Sequence, residues 1–391
     1  MDENKTSYEK VVIAGLHLAG SSTTLFEEDM QEMAMLCSTA GAQIAATFVQ
    51  KKESIAASTY LGEGKLHEIR AFMQENEVKT LIIDAQLSPG QMRNIEKITK
   101  SKVLDRSQLI LDIFALHAKT VEAKVQVELA QMKNIYPRLT HAWAHFSEGF
   151  GSGGIGMRGP GEKQLEVDRR LVQKKIADLK ERLKKIEKNR VVQRKSRSAM
   201  FKASLVGYTN VGKSSLLNAL CGSDVLVEDK LFATLDTATR RVYIQGAGNA
   251  VISDTVGFLR KLPHDLVASF RSTLSVAAES DLLIVVLDAS SAWIDQQLET
   301  VNSVLEELGA GDVEKFYLFN KADLVDDPFV RKQLRLSFPD SLFVSSFSAD
   351  DMRGVKELLS EVIIRQQQKR KAESIIKEKT KGYQHDRRHV A

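Results

Sequence analysis

Between Val11 and Leu104 the chain alternates short apolar runs with amphipathic segments of helical length. The runs are Val11-Val-Ile-Ala-Gly15, Ala45-Ala-Thr-Phe-Val49, Leu81-Ile-Ile83 and Val103-Leu104. That alternation predicts a small α/β layer with a parallel sheet. One helix start is sharply marked: Ser88-Pro89-Gly90-Gln91 places an N-cap serine, a first-turn proline and a capping-box glutamine in order. From Ser107 the period changes. Ala118, Val121, Val125, Leu129, Met132 and Tyr136 recur every three or four residues, predicting one long helix that Pro137 ends. A second long helix is predicted from about Glu162 to Arg197, where Val172, Ile176, Leu179, Leu183 and Ile186 step by four and three. Together the two should form a helical hairpin with a coiled-coil seam. Residues 138–161 between them hold seven of the chain's 23 glycines, too many residues for a passive helix connection of about two to eight. Further apolar runs, Ala203-Ser-Leu-Val206, Leu282-Leu-Ile-Val-Val-Leu287 and Leu342-Phe-Val-Ser-Ser-Phe347, reopen an α/β pattern. The division expected is 1–106, an α/β nucleotide-binding-like subdomain; 107–199, the hairpin; 200–365, a second α/β domain; and 366–391, a basic tail without fixed structure.

Charge sharpens this picture. The net charge of +4 is uneven, since residues 158–202 sum to +10 and residues 365–391 to +6, leaving the remainder at −12. A stripe of that kind suits a polyanion, most simply nucleic acid, although a charge run on a helix also serves as a plain solvated face. The first residues are polar and acidic, and no eighteen apolar residues run together, so a cytoplasmic protein without a membrane span is expected. Cys37 and Cys221 have no C-x-x-C partner, so neither a metal knuckle nor a disulfide framework is expected.

The chemistry centres on Gly207-Tyr208-Thr209-Asn210-Val211-Gly212-Lys213-Ser214-Ser215, which fits G-x-x-x-x-G-K-[ST] between an apolar strand and a helix that can stop at Gly222. Such a P-loop cradles phosphates with successive backbone N–H groups at a helix N-terminus. Lys213 would reach the β and γ phosphates and Ser214 would ligate Mg²⁺. Val251-Ile-Ser-Asp254-Thr-Val-Gly257 is a strand ending in D-x-x-G, so Asp254 can hold Mg²⁺ through water while the Gly257 N–H senses the γ-phosphate. Thr234 is the chosen hydroxyl for the first switch and second metal ligand, with Thr237 and Thr239 as rivals. Asn320-Lys321-Ala322-Asp323 sets the base: a carboxylate accepts from guanine N1–H and N2–H₂, whereas adenine offers neither donor. Ser348-Ala349 would add a backbone N–H to guanine O6. Phe258 stands where related sites use glutamine to orient water, so catalysis is assigned to Lys213, Asn210, Thr234 and Gly257.

Two other glycine patterns invite binding readings. Leu61-Gly-Glu-Gly-Lys65 reads better as a turn than as a phosphate site. The loop at 149–159 contains overlapping G-x-G-x-x-G patterns, Gly149/Gly151/Gly154 and Gly154/Gly156/Gly159 among them, but lacks the preceding strand that a dinucleotide fingerprint requires. With Trp143, Phe146, Phe150 and Arg158 around it, it suits an RNA-contacting tip, since rings stack on unpaired bases and the adjoining basic helix tracks phosphates.

With these motifs in hand, the chain resembles the HflX family of ribosome-associated GTPases within the TrmE-Era-Obg-HflX group, over about residues 8–365. The resemblance rests on Gly153 to Arg170, a glycine-rich signature, with Leu104-Asp-Arg and Leu231-Phe-Ala-Thr-Leu-Asp236. It implies a Ras-like GTPase domain and a factor that binds the large ribosomal subunit in its GTP state, separates stalled or idle ribosomes, and hydrolyses GTP for release. It implies a tip that approaches rRNA; a monomer is expected. Asn210 in G-x-x-N-x-G-K-S resembles potassium-activated members, so K⁺ joins Mg²⁺ as an expected ion. Met157, Lys163, Thr237-Ala238 and Asp351-Met352 depart from the family's pattern, at the tip and in the loops. Two other readings stay open: a GTP-gated RNA-binding module with negligible hydrolysis, and an added ATP-dependent activity in the N-terminal half.

Overall fold

The computed structural model describes residues 9–148, 160–195, 200–222, 231–232, 234–235, 237–261 and 271–386. Two compact units emerge. One joins Met1–Arg194 with Asp229–Asp236 and Lys261–Ser272; the other joins Lys195–Glu228, Thr237–Arg260 and Thr273–Ala391.

The first unit opens with the predicted parallel layer. Strands β1 (Glu9–Leu18), β2 (Ala42–Lys52), β3 (Thr80–Ile83) and β4 (Lys102–Asp105) stand in the order β2-β1-β3-β4, every pairing parallel. Crossovers run through α1 (Thr23–Thr39), α2 (Glu63–Glu75) and α3 (Pro89–Thr99). Central β1 is buried from Val11 to His17, while edge strand β2 alternates half-buried and exposed, as pleating with one covered face requires. A core of Val12, Leu66, Ile69, Leu81, Ile83, Ile95 and Val103 binds sheet to helices. The capping box at Ser88 and Gln91 forms as predicted. Gly62 merely caps α2, its N–H donating to Gln50 Oε1, in keeping with a turn.

The predicted single helix from Ser107 is two helices, α4 (Arg106–His117) and α5 (Val121–Glu148). Asp105 starts α4 with a second capping box, and Thr120 Oγ1 accepts from Ala123 N to restart the chain as α5. Apolar periodicity runs straight across this break and so conceals it. Pro137 lies inside α5 and does not end it; the cost is one backbone hydrogen bond, within a helix long enough to bear it. α6 (Pro160–Lys195) returns, and Val125, Leu129 and Leu179 are buried between the two helices with Met132, Ile176 and Leu183 packed against them. Glu128 pairs with Lys175 at 2.9 Å, and Tyr136 Oη accepts from Arg169 Nε at 3.1 Å. The hairpin seam is therefore the predicted one over its middle turns.

The second unit is a six-stranded sheet. Its strands are β5 (Phe201–Gly207), β6 (Ala238–Ile244), β7 (Gly248–Asp254), β8 (Leu282–Asp288), β9 (Lys315–Asn320) and β10 (Leu342–Phe343), ordered β10-β9-β8-β5-β7-β6. All pair in parallel except the β6–β7 hairpin. Helices α7 (Lys213–Cys221), α8 (Arg271–Ala278), α9 (Ile294–Glu307), α10 (Pro328–Ser337) and α11 (Ala349–Asp386) complete it. Met352, Val355, Leu359, Val362 and Ile363 make the buried stripe of α11. The basic tail expected beyond residue 365 is instead the far half of α11, helical to Asp386, because Lys, Glu, Gln and Ala there are good helix formers and no proline interrupts them. No helix among the described residues is long and apolar enough to cross a membrane.

Candidate nucleotide site

The site grows from the C-terminal ends of the parallel strands, where α/β sheets bind ligands. Register sets it up: Leu205 of β5 pairs with Asp254 of β7, and Gly207 pairs with Val286 of β8, so the P-loop leaves the sheet beside Asp254. A Cβ on Gly207 would lie 2.2 Å from Val286 O, and one on Gly212 (φ 88°) would lie 2.2 Å from Asn320 Nδ2. Only glycine fits either place. Asn210 turns the loop in the left-handed region at φ 61°.

Lys213 opens α7 buried, and its Nζ donates to Tyr208 O at 2.7 Å and Gly207 O at 3.3 Å. Burial pushes its pKa down to about 8, against the upward pull of Asp254. Two of the three ammonium donors thus shape the loop, leaving one for a phosphate oxygen. The next residue, Ser214, donates its hydroxyl to Asp254 Oδ2 at 2.6 Å. A hydroxyl and a carboxylate side by side form the oxygen-only donor set that Mg²⁺ favours, so these residues fit the ion. The Thr209 hydroxyl is buried with no hydrogen-bond partner among the described residues.

Beyond Asp254 the chain is zipped to the loop. Phe258 N donates to Gly207 O at 3.0 Å, Thr209 N donates to Phe258 O at 2.8 Å, and Arg260 N donates to Tyr208 Oη at 2.8 Å. Phe258 is buried at 1% exposure, so its ring serves the core. A Cβ on Gly257 would stand 2.7 Å from Thr209 Cα and 3.0 Å from Lys213 Nζ, which places the D-x-x-G glycine hard against the P-loop lysine.

The base motif locks to the same loop. Asn320 Nδ2 donates to Val211 O at 2.9 Å, and Asn320 Oδ1 accepts from Ser346 N at 3.1 Å. Lys321 (φ 59°) pairs with Asp288 at 2.7 Å, and Asp323 lies exposed in the short 3-10 turn Ala322–Leu324. Ser348 and Ala349 stand at the start of α11, with Ser348 Oγ accepting from Asp351 N. Sequence reading passed over Ser346, the residue tied directly to Asn320. It also missed Asp288, which anchors Lys321, and Asp351, whose Oδ2 accepts from Ser345 N at 2.8 Å. A carboxylate closing the apolar run of β8 was the available signal for Asp288.

Of the switch hydroxyls, Thr234 falls in the stretch grouped with the first unit, while Thr237 and Thr239 belong to the second. Thr239 Oγ1 is engaged with Ser253 Oγ at 3.0 Å in the β6–β7 ladder. Trp143 and Phe146 fall on the α5 backbone without described side chains, and Phe150 and Arg158 lie outside the described residues.

Comparison with known proteins agrees with this construction. Residues 27–115 match the family described as GTP-binding GTPase N-terminal, 117–197 the GTP-binding GTPase middle region, and 202–321 the 50S ribosome-binding GTPase. The chain is 46% identical over 323 residues to the GTPase HflX of Flavobacterium psychrophilum, covering 83% of this chain and 78% of that one. It is 42% identical over 302 residues to the GTPase HflX of Escherichia coli, covering 77% and 70%. Among solved structures, the complex of SsGBP and GDP is similar at 26% identity and a TM-score of 0.50, covering 91% of this chain and 98% of that one. With a Ras-like nucleotide site built residue by residue and relatives of this identity along most of its length, the chain belongs to the HflX family of GTPases.

Proposed function

We propose that this GTPase binds the large ribosomal subunit in its GTP state, separates stalled or idle ribosomes, and leaves on hydrolysis to GDP. The observation that carries the proposal is the presence in one chain of a P-loop with its Ser214–Asp254 pair and of a long helical hairpin whose returning helix lies in a stretch of charge +10. Such a helix suits rRNA phosphates, and a family described as 50S ribosome-binding matches the GTPase unit. Membership of a GTPase family removes the ground for a module without hydrolysis. A protein acting on ribosomes works in the cytoplasm, and a monomer suffices for it.

In this reading Asp323 selects guanine. Ser348-Ala349 would meet guanine O6, because backbone N–H groups at the start of α11 have no intrahelical acceptor, whereas Ser345 N and Ser346 N are already given to Asp351 and Asn320. Mg²⁺, held by Ser214 and Asp254 with a switch threonine, Thr234 first, would neutralise phosphate charge. Asn210 supplies the side chain for K⁺, and with Phe258 buried no side chain at that position orients water. Hydrolysis should accordingly be faster in K⁺ than in Na⁺, with the difference gone in Asn210→Ala; equal rates in both salts for the unaltered protein would count against K⁺.

Cosedimentation with purified large subunits tests the central claim. The protein should pellet with subunits in a non-hydrolysable GTP analogue and stay in the supernatant in GDP, and raising salt should weaken the pelleting. Equal pelleting in both nucleotides would overturn GTP-gated binding.

A further inference from the structure

The corner where Lys213 meets the D-x-x-G segment holds a polar group to which the nucleotide motifs give no task. The groups there can be accounted for one at a time. Phe258 N is given to Gly207 O and Phe258 O accepts from Thr209 N, so the chain after Gly257 runs parallel to the P-loop with both groups committed. Arg260 N is given to Tyr208 Oη. Lys213 Nζ donates to Gly207 O and Tyr208 O and has one donor left. The Phe258 side chain is a buried ring that cannot bond to water. Against these, the Thr209 hydroxyl is buried and has no hydrogen-bond partner among the described residues. A buried hydroxyl is costly unless the working state supplies its partner. Its residue is placed closely. The position that a Cβ on Gly257 would take lies 2.7 Å from Thr209 Cα, 2.9 Å from Thr209 Cγ2 and 3.0 Å from Lys213 Nζ. The Thr209 side chain, the D-x-x-G glycine and the P-loop lysine therefore converge on one point.

We infer that the Thr209 hydroxyl is a catalytic group of GTP hydrolysis: it accepts a hydrogen bond from the attacking water and donates one to a γ-phosphate oxygen, holding the water in line with the bond to be broken. It does from the P-loop what a glutamine after the D-x-x-G glycine does in related sites and what Phe258 cannot do. In the step itself the water oxygen bonds to the γ-phosphorus. The bond from that phosphorus to the bridging oxygen breaks with its electron pair left on GDP, and one water proton passes to the released phosphate. This inference rests on the reading of Lys213 and Gly257 as the γ-phosphate corner. Removing one preorganised hydrogen-bonding group of this kind lowers turnover by roughly 10²- to 10³-fold.

Single-turnover hydrolysis by the full-length protein, with nucleotide affinity measured in parallel, is the test. Thr209→Val keeps the shape and removes the hydroxyl. Its hydrolysis should fall by a factor in that range, while its affinities for GDP and a non-hydrolysable GTP analogue stay within about twofold, as loss of a bond made only in the transition state requires. Thr209→Ser keeps the hydroxyl and should hydrolyse within about threefold of the unaltered protein. GDP with aluminium fluoride, standing in for the transferring phosphoryl group, should bind more weakly to Thr209→Val and normally to Thr209→Ser, a difference that a merely structural role would not produce. Lys213→Ala is the control for the corner and should lose tight GTP binding. Three results would each overturn the catalytic role while Lys213→Ala still loses GTP: Thr209→Val hydrolysing within about twofold of the unaltered protein, Thr209→Val losing GDP affinity by the same factor as turnover, or Thr209→Ser falling as far as Thr209→Val. The reading of the corner would then stand without the hydroxyl. If Lys213→Ala binds GTP normally, the corner is misassigned and the inference falls with it.

Discussion

In the proposed function a single side chain, Lys213, couples the fold to phosphate chemistry. Its amine is buried, bonded to two loop carbonyls, and held near pKa 8 by burial, which Asp254 only partly offsets. In the unfolded chain the same amine titrates near 10.4. Between about pH 8 and 10 the unfolded state therefore holds more protons, so this lysine makes the nucleotide-free protein more stable as pH rises through that window and less stable as it falls. A bound phosphate would reverse the preference by stabilising the ammonium. Nucleotide binding at pH 8.5 should accordingly take up protons, detectable as a dependence of the calorimetric enthalpy on buffer ionisation heat, and this uptake should vanish in Lys213→Met. No buffer dependence in the unaltered protein would show that Lys213 is already fully charged. The strand, loop and helix around Lys213 were legible in the sequence because they are adjacent along the chain. Legibility was poorer where a role depends on a partner distant in sequence: Asp288 beneath Lys321 and Ser346 on Asn320 carry no local signature.

Among the elements of the first unit, Arg106 is the fastener. It is 2% exposed, starts α4, and pairs with Glu32 of α1 and with Asp84, which follows β3, at 2.7 Å. Burial works against its charge, yet Glu32 and Asp84 together outweigh that and raise its pKa. Lys261 adds to the same cluster, reaching Asp29 at 2.6 Å and Asp84 at 3.4 Å, but with its side chain 47% exposed. Breaking a buried pair strands its partners, whereas a solvated pair loses little. Arg106→Met should cost about 3–5 kcal/mol, and Lys261→Met less than about 1 kcal/mol. Urea unfolding with tryptophan-independent detection compares the two, and equal losses would show that Arg106 is not the fastener. Among the described residues, the same unit holds two non-glycine residues in the left-handed region outside the loops of its sheet, Phe232 at φ 55° and Lys261 at φ 54°. Each is anchored by its side chain, Phe232 edge-on to Phe114 at 4.7 Å and Lys261 on the aspartates. Such strain, about 1–3 kcal/mol per residue, persists only where anchoring over-determines it. None of this was legible in the sequence beyond Leu104-Asp-Arg as a matching signature. Periodicity gave helices and strands, but it ran unbroken from Ala118 to Val121, where the backbone turns, and it gave no reason to carry a helix through Pro137.

At the scale of the whole molecule, chain connectivity separates the chemistry of GTP from the surface proposed to meet rRNA. The nucleotide motifs lie between Gly207 and Ala349, whereas the glycine-rich stretch at 149–159 comes in sequence between α5 and α6, and α6 alone has 36 residues, a rise of about 54 Å. Leu179 is its one buried residue among those described, so the hairpin depends on a short seam and presents most of α6 to solvent. A deletion at the tip therefore removes no residue of the nucleotide site and no residue of the seam. Shortening residues 149–156 should leave GTP affinity and intrinsic turnover within about twofold of normal while abolishing the separation of ribosomal subunits, followed by light scattering or gradient profiles. Lys213→Ala should fail in the complementary way, losing tight GTP binding while retaining salt-sensitive association with RNA through the basic helix. If the shortened protein still separates subunits at the normal rate, the tip is not the working surface. If its intrinsic GTPase activity collapses as well, the two functions are not divided between the hairpin and the nucleotide site, and the division argued from connectivity is wrong.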